Sequence, residues 1–247
     1  MLETLRFPKF SLERQTNEKK KLLLSLGGRT CDTNFFMQIV PMFDALYAVD
    51  KGLDIFCDTC ITPHFLIGDL DSSKQEAINF AKIHKIETIR LKREKDDTDF
   101  QAALKEAAQR EHLQKDDRIA VAVINSLGGR LDHLLSNIFT FSNIHSPLIP
   151  FFMGDEKELL FIVRSGEGLT FDFDVAPRCV SLFALQDNVT GVNLTGTKWG
   201  LENATLKCRE PYAISNEVEA SRVTVSCMTG LLAFYVLFLE EEQELNG

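Results

Sequence analysis

The chain has little that would tie it to a membrane, an oxidising compartment or nucleic acid. Its longest apolar stretch, Gly230 to Leu239, is far shorter than the roughly 20 residues a helix needs to cross a bilayer, and it is expected to be a buried strand. Met1 to Lys21 mixes charge with scattered apolar residues and holds no continuous hydrophobic segment of signal-peptide type, so secretion is not expected. Basic residues are in deficit: 27 Lys and Arg against 36 Asp and Glu leave a formal net charge of -9. That argues against general affinity for nucleic acid or anionic lipid, where cations must neutralise phosphates. An anionic ligand must then be met locally, by a metal or by a few basic side chains. Six cysteines include one CxxC, Cys57 to Cys60, with no second pair or neighbouring histidines to complete a tetrahedral metal set. They are expected to be free thiols in a reducing cytoplasm.

What is present is ample for a folded core: 247 residues, 45% apolar and 26% charged, enough for two domains. Apolar runs at Lys20–Leu26, Asp44–Val49, His64–Ile67, Glu87–Leu91 and Arg118–Ile124 read as strands. Between them stand helical patterns, one from a Ser72/Ser73 cap to about His84, one from Asp99 to about Glu111, and one over Leu131–Phe141. Strands alternating with helices predict an α/β fold with a mostly parallel sheet. Beyond Pro147 and Pro150 the texture changes to short alternating runs separated by Gly, Asn, Asp and Pro, which predicts an all-β domain. The expected organisation is an N-terminal extension over 1–20, an α/β domain over 21–150, and a β domain over 151–247 with an acidic tail.

Carboxylates crowd the ends of the predicted strands: Asp50, then Asp69 and Asp71, then Asp96, Asp97 and Asp99. The carboxyl ends of parallel strands share one edge, where ligands bind. Gathered carboxylates repel one another unless a cation sits among them, and the hard cation suited to oxygen ligands and phosphates is Mg²⁺. A metal-dependent polyphosphate enzyme is the expectation. Each turn also has a plainer reading, since Asp, Ser and Thr favour turns and helix caps in their own right. The pentapeptide Ser25–Arg29 recurs as Ser126–Arg130, and glycines there let backbone N–H groups approach a phosphate. Arg130 beyond Gly128 and Gly129 is suited to hold phosphate through paired donors. Asp132 can orient a hydroxyl or a cationic ring, and His133 beside it is a further candidate contact. Trp199, the single tryptophan, is either core packing or a flat platform for a ring or cation.

Gly68-Asp69-Leu70-Asp71-Ser72, Asp96-Asp97-Thr98-Asp99-Phe100 and Gly128-Gly129-Arg130-Leu131-Asp132-His133, in this order and spacing, resemble the signature turns of the thiamin pyrophosphokinase family. Thr195-Gly196-Thr197-Lys198-Trp199-Gly200-Leu201 followed by Ile214-Ser215-Asn216-Glu217 resembles that family's thiamin-binding stretch. The resemblance implies a Rossmann-like domain, a C-terminal antiparallel β-sandwich, and a homodimer whose active sites lie between subunits. It implies the reaction of ATP with thiamin to give thiamin diphosphate and AMP. Carried over by position, Asp69, Asp71, Asp96 and Asp99 would hold Mg²⁺ and the polyphosphate, with Gly68 and Thr98 assisting and Asp50 lining the nucleotide pocket. Trp199, Ser215 and Asn216 would meet thiamin, from the partner chain. Asp71 or Asp99 would accept the hydroxyl proton.

Two positions depart from the family pattern. Lys51 stands where a glycine is usual, and Lys95 where a glutamine is common; both can add phosphate contacts, shift nucleotide preference or mark lost activity. A thiamin- or nucleotide-binding regulator without turnover is therefore the alternative. A DxD phosphatase built on Asp69 and Asp71 fits less well, because about 25 residues to the next acidic pair are too few for the βαβ units it requires. A DxD glycosyltransferase would leave the Gly128–His133 turn and the β domain without a role.

Overall fold

A computed structural model describes residues 1–68, 73–90, 97–110, 117–210 and 212–238. In chain order the elements are β1 (Leu2–Phe7), β2 (Phe10–Gln15), β3 (Lys20–Ser25), α1 (Thr33–Ile39), β4 (Ala45–Val49), α2 (Leu53–Asp58), β5 (Phe65–Gly68) and α3 (Gln75–Ile83). There follow β6 (Glu87–Arg90), α4 (Asp99–Arg110), β7 (Ile119–Ile124), α5 (Leu131–Ser142) and β8 (Leu148–Gly154). Among the described residues seven strands then follow, β9 (Glu158–Arg164), β10 (Gly168–Phe173), β11 (Cys179–Ala184), β12 (Asn188–Thr195), β13 (Leu201–Lys207), β14 (Arg222–Ser226) and β15 (Leu231–Leu237). They fall into two compact units, Asn17–Asp155 and Met1–Thr16 with Glu156–Gly247. Among the described residues no helix is long and apolar enough to cross a membrane.

In the Asn17–Asp155 unit the strands lie in the order β8-β7-β3-β4-β5-β6, every pair parallel. Parallel strands covered on both faces need unbroken apolar runs, and Leu22–Leu24, Ala45–Val49 and Ile119–Ile124 are buried throughout. From β3 the chain builds β4, β5 and β6 to one side, then returns to place β7 and β8 on the other. The order therefore reverses between β3 and β7, which pair with Ser25 opposite Ile124, and a crevice for ligands opens where strand order reverses.

The two loops that leave these strands are the repeated pentapeptide, and they interlock. Leu26, Gly28 and Arg29 donate their backbone N–H groups to the carbonyls of Ile124, Asn125 and Leu127 at 3.0, 2.6 and 2.8 Å. Asn125, 2% exposed, adds its side chain: Nδ2 donates to Ser25 Oγ at 2.8 Å, and Oδ1 accepts from Cys31 N–H at 2.7 Å. The turn after β4 presses on the same place, so closely that a Cβ on Gly52 would stand 1.9 Å from the Ser25 carbonyl oxygen.

The other unit is a sandwich. One antiparallel sheet runs β1-β2-β10-β14-β12-β13, and β15 pairs antiparallel with both β11 and β9. Its core is aromatic: Phe161 of β9 meets Phe7, Phe10 and Phe171 edge-on at 5.8, 6.0 and 5.1 Å between centroids, and Phe171 also packs on Phe234.

The structure corrects several expectations. Residues 1–20 are no separate extension: β1 and β2 pair with each other and β2 with β10, burying Leu5, Phe7, Phe10 and Leu12 in the sandwich. Pro150 does not end the α/β unit, because β8 pairs in parallel with β7 and the unit runs to Asp155. Two helices went unpredicted: α1, whose Asp32 cap accepts from Asn34 and Phe35 N–H, and the two-turn α2. Helix α3 starts after Lys74, which makes no side-chain cap, and Ser73 Oγ has no hydrogen-bond partner among the described residues; Ser72, the other expected cap, lies outside them.

Two predictions concern stability. Gly52→Ala is expected to cost about 2–3 kcal/mol by forcing the turn off the Ser25 carbonyl, whereas Gly27→Ala, whose Cβ would meet Lys51 Cβ at 3.4 Å, should be nearly silent; denaturant midpoints decide, and equal midpoints would refute the steric account. Burial pushes the Cys227 thiol up to about 11 from 9.0. Because the folded value is the higher one, its contribution is complete below about pH 9 and lost as pH climbs towards 11. Iodoacetamide at pH 8.5 should accordingly label exposed Cys60 and Cys208 and spare Cys227; equal labelling would contradict this.

Candidate active site

The carboxyl edge of the parallel sheet gathers several of the predicted residues. Asp50, in a left-handed conformation at φ 47°, opens the single 3-10 turn Asp50–Gly52 directly after β4. Its carboxylate lies against the last residue of β5: a Cβ on Gly68, φ 137°, would stand 1.7 Å from Asp50 Oδ1. Only glycine accepts both that φ and that approach. Lys51 sets its Cβ next to Gly27 of the first glycine loop. The two glycine loops and Asn125 thus meet where strand order reverses, with Lys51 beside Gly27, while Asp50 and Gly68 meet further along the same edge at the ends of β4 and β5. Gly128 and Gly129 are each at φ 73°, and backbone N–H groups of such turns form concavities that receive anions.

The two arginines of the repeated pentapeptide behave differently. Arg29 lies along Gly128, and its Nε and Nη2 reach Oδ2 of Asp155 at 2.8 and 2.7 Å. Asp155 is 1% exposed, and a buried carboxylate requires such a partner. Sequence reasoning passed over both residues; the recurring arginine was the one signal available. Arg130 faces solvent and holds Asp132 of its own loop, Nε to Oδ1 at 3.1 Å and Nη2 to Oδ2 at 2.5 Å. That bond draws the Asp132 carboxyl below its usual value and raises the Arg130 guanidinium. Asp132 also accepts from His133 N–H at 2.9 Å, so it serves the head of α5, with exposed His133 on the same turn.

At the head of α4 the predicted capping box forms. Thr98 N–H donates to Gln101 Oε1 at 2.9 Å and Gln101 N–H to Thr98 Oγ1 at 3.2 Å. This leaves Asp99 as the first helical residue. Asp97 is drawn along the helix to Lys105 at 2.6 Å. Asp69, Asp71, Lys95 and Asp96 lie outside the described residues. Among those described, no three His, Cys, Asp or Glu side chains are placed to share a metal ion. A further carboxylate missed from sequence is Asp54 of α2, 2% exposed, whose Oδ1 accepts the Lys74 N–H at 3.2 Å just before α3.

In the β unit, Thr197–Trp199 runs beside Asn216–Val218. Asn216, 4% exposed, accepts from Trp199 N–H at 3.1 Å and donates from Nδ2 to Trp199 O at 2.7 Å and Thr197 Oγ1 at 3.3 Å. Its side chain is thereby engaged in presenting Trp199, a residue 54% exposed. Ser215 precedes it at φ 54°, exposed, its N–H donated to Ser181 Oγ at 3.0 Å. Trp199 is no core residue.

Comparison with known proteins agrees in both units. The family model for the thiamin pyrophosphokinase catalytic domain matches residues 36–153, and that for the thiamin pyrophosphokinase vitamin B1 binding domain matches residues 169–232. A thiamine pyrophosphokinase of Bacillus subtilis is 30% identical over 185 residues, 74% of this chain and 83% of that protein. Thiamin pyrophosphokinase 1 of Caenorhabditis elegans is 24% identical over 172 residues, 69% of this chain and 68% of that protein. In fold the chain is similar to the crystal structure of the Bacillus subtilis thiamine pyrophosphokinase, with a TM-score of 0.72 and 24% identity over 90% of this chain and all of that one. The yeast thiamin pyrophosphokinase structure gives 0.69 at 16% identity, covering 90% and 88%. With both of its units matched and a relative at 30% identity spanned over most of its length, the chain belongs to the thiamin pyrophosphokinase family.

Proposed function

We propose that this chain is an enzyme that transfers the pyrophosphoryl group of ATP to the hydroxyl of thiamin, giving thiamin diphosphate and AMP. Family membership supports the reaction and both substrates. The observation that carries the assignment to a place is the carboxyl edge of the parallel sheet, where the two glycine loops interlock between β3 and β7 and Asp50 packs on Gly68 at the neighbouring ends of β4 and β5.

The thiamin oxygen attacks the β-phosphorus of ATP as the bond to AMP breaks, and the hydroxyl proton leaves with a base. Catalysis of this kind rests on positioning and on neutralising charge. The N–H groups of Gly128 and Gly129 and the cations Lys51, Lys95 and Arg130 are assigned to the polyphosphate. Asp71 or Asp99 takes the proton, and Thr98 stabilises the turn that presents Asp99. The donor set Asp69, Asp71, Asp96 and Asp99 is all carboxylate oxygen, which suits Mg²⁺; these residues would hold it. Bound there, the ion would offset charge on the transferring phosphates. Asp132 and His133 are assigned to the substrate beside them. Lys51 is compatible with retained turnover, since its Cβ fits beside Gly27 at an ordinary contact distance and its ammonium adds a cation for the polyphosphate.

Thiamin is assigned to Trp199 and Ser215, presented by Asn216. An exposed indole offers a face to the flat cationic ring. We assign these residues to the partner subunit of a homodimer, each subunit serving the other's active site.

Incubation with ATP, MgCl₂ and thiamin is expected to release AMP in step with thiamin diphosphate, and EDTA to stop both; phosphate release independent of thiamin would point to a phosphatase instead. Asp71→Asn should lower kcat by at least about a hundredfold with an unchanged melting curve, and full activity would remove Asp71 from the reaction. Coexpressing Asp71→Asn with Trp199→Ala subunits should restore turnover that neither variant has alone. Failure to complement would place each site within one subunit.

A further inference from the structure

The face of Trp199 already carries a cation. Lys198 Nζ stands 4.8 Å from the centre of the indole ring and 2.8 Å from Glu217 Oε2. The backbones beneath are zipped together: Lys198 N–H donates to Glu217 O at 2.9 Å, Thr197 bridges to Val218, and Asn216 fixes both the N–H and the carbonyl of Trp199. The Trp199 and Glu217 backbones are therefore held in place, while the Lys198 side chain, 43% exposed, can leave without disturbing the turn.

We propose that Trp199 and Glu217 form a cation site whose occupant in the free protein is Lys198, and that the thiazolium ring of thiamin displaces Lys198 to take it. This rests on the reading that thiamin binds at Trp199 and goes beyond it by assigning Lys198 as a built-in competitor and Glu217 as the counterion of the bound cation. The exchange conserves charge, one positive group for another beside the same carboxylate. It favours the ligand because an ammonium is compact and strongly hydrated, whereas a flat aromatic cation spreads its charge and loses little hydration when stacked. Glu217 holds Lys198 in its protonated form, and Glu219 adds negative charge from the same strip. Lys198 thus sets the affinity for thiamin and discriminates against neutral rings, which cannot answer Glu217 once the ammonium has gone.

Because Trp199 is the only tryptophan, its emission reports on this ring alone. Titrating the full-length protein with thiamin, without ATP, is expected to quench it. Lys198→Met should lower the Kd about two- to fivefold, and adding Glu217→Gln to that variant should abolish the gain. A Kd that is unchanged or raised in Lys198→Met overturns the proposal, as does a gain that survives Glu217→Gln. Calorimetry with Trp199→Ala separates this from the underlying assignment. Loss of thiamin binding there with no effect of Lys198→Met sinks the competitor alone, whereas undiminished binding sinks the Trp199 assignment with it.

Discussion

Asn125 gives its carbonyl to Gly28 and its side-chain amide to Ser25 and Cys31. Through that one buried residue the loops leaving β3 and β7 become a single ledge. Such an amide cannot be left half-satisfied in an apolar interior without a penalty of about 1–3 kcal/mol, so the loops hold each other in one arrangement. The Asp50–Gly52 turn is then placed by contact with Ser25, and Gly68 by contact with Asp50. Rigid backbone at the edge of a parallel sheet is what a polyphosphate requires, because positioned N–H groups act on it without reorganising.

Electrostatics follow a similar logic of local pairing within an acidic chain. A net charge of -9 gives no general attraction for phosphate. Two cations near the sheet edge are accordingly held in definite places: Arg29 on buried Asp155 and Arg130 on Asp132. In the β unit, Lys198 between Glu217 and Trp199 repeats the pattern. An exposed ion pair is worth little to stability, so the interest of the Arg130 and Lys198 pairs lies in where they park a charge.

Much of the fold was legible because the parallel sheet writes itself as apolar runs, and Lys20–Ser25, Ala45–Val49 and Ile119–Ile124 appear as strands close to their predicted bounds. The Thr98–Gln101 box was equally readable, being a contact across three residues. Short elements were not: β1 and β2 show Leu5, Phe7, Phe10 and Leu12 on alternate positions, yet a hairpin this brief has no stability alone and becomes definite only against β10. Pro150 misled because a proline is tolerated in β8 at a register irregularity.

Local composition determined which segments could be strands and helices, that glycines and carboxylates would follow the strands, and that the family's signature turns are present in order. These depend on periodicity, caps and backbone freedom, which act over a few residues. Tertiary structure alone decided that the two glycine loops touch, that Arg29 is held by a buried acid while Arg130 turns to solvent, that Asn216 serves Trp199, and that Lys198 covers the indole. Each joins residues distant in sequence or depends on how tightly a neighbouring element packs, and nothing in the chemistry of a single segment specifies the partner it will meet.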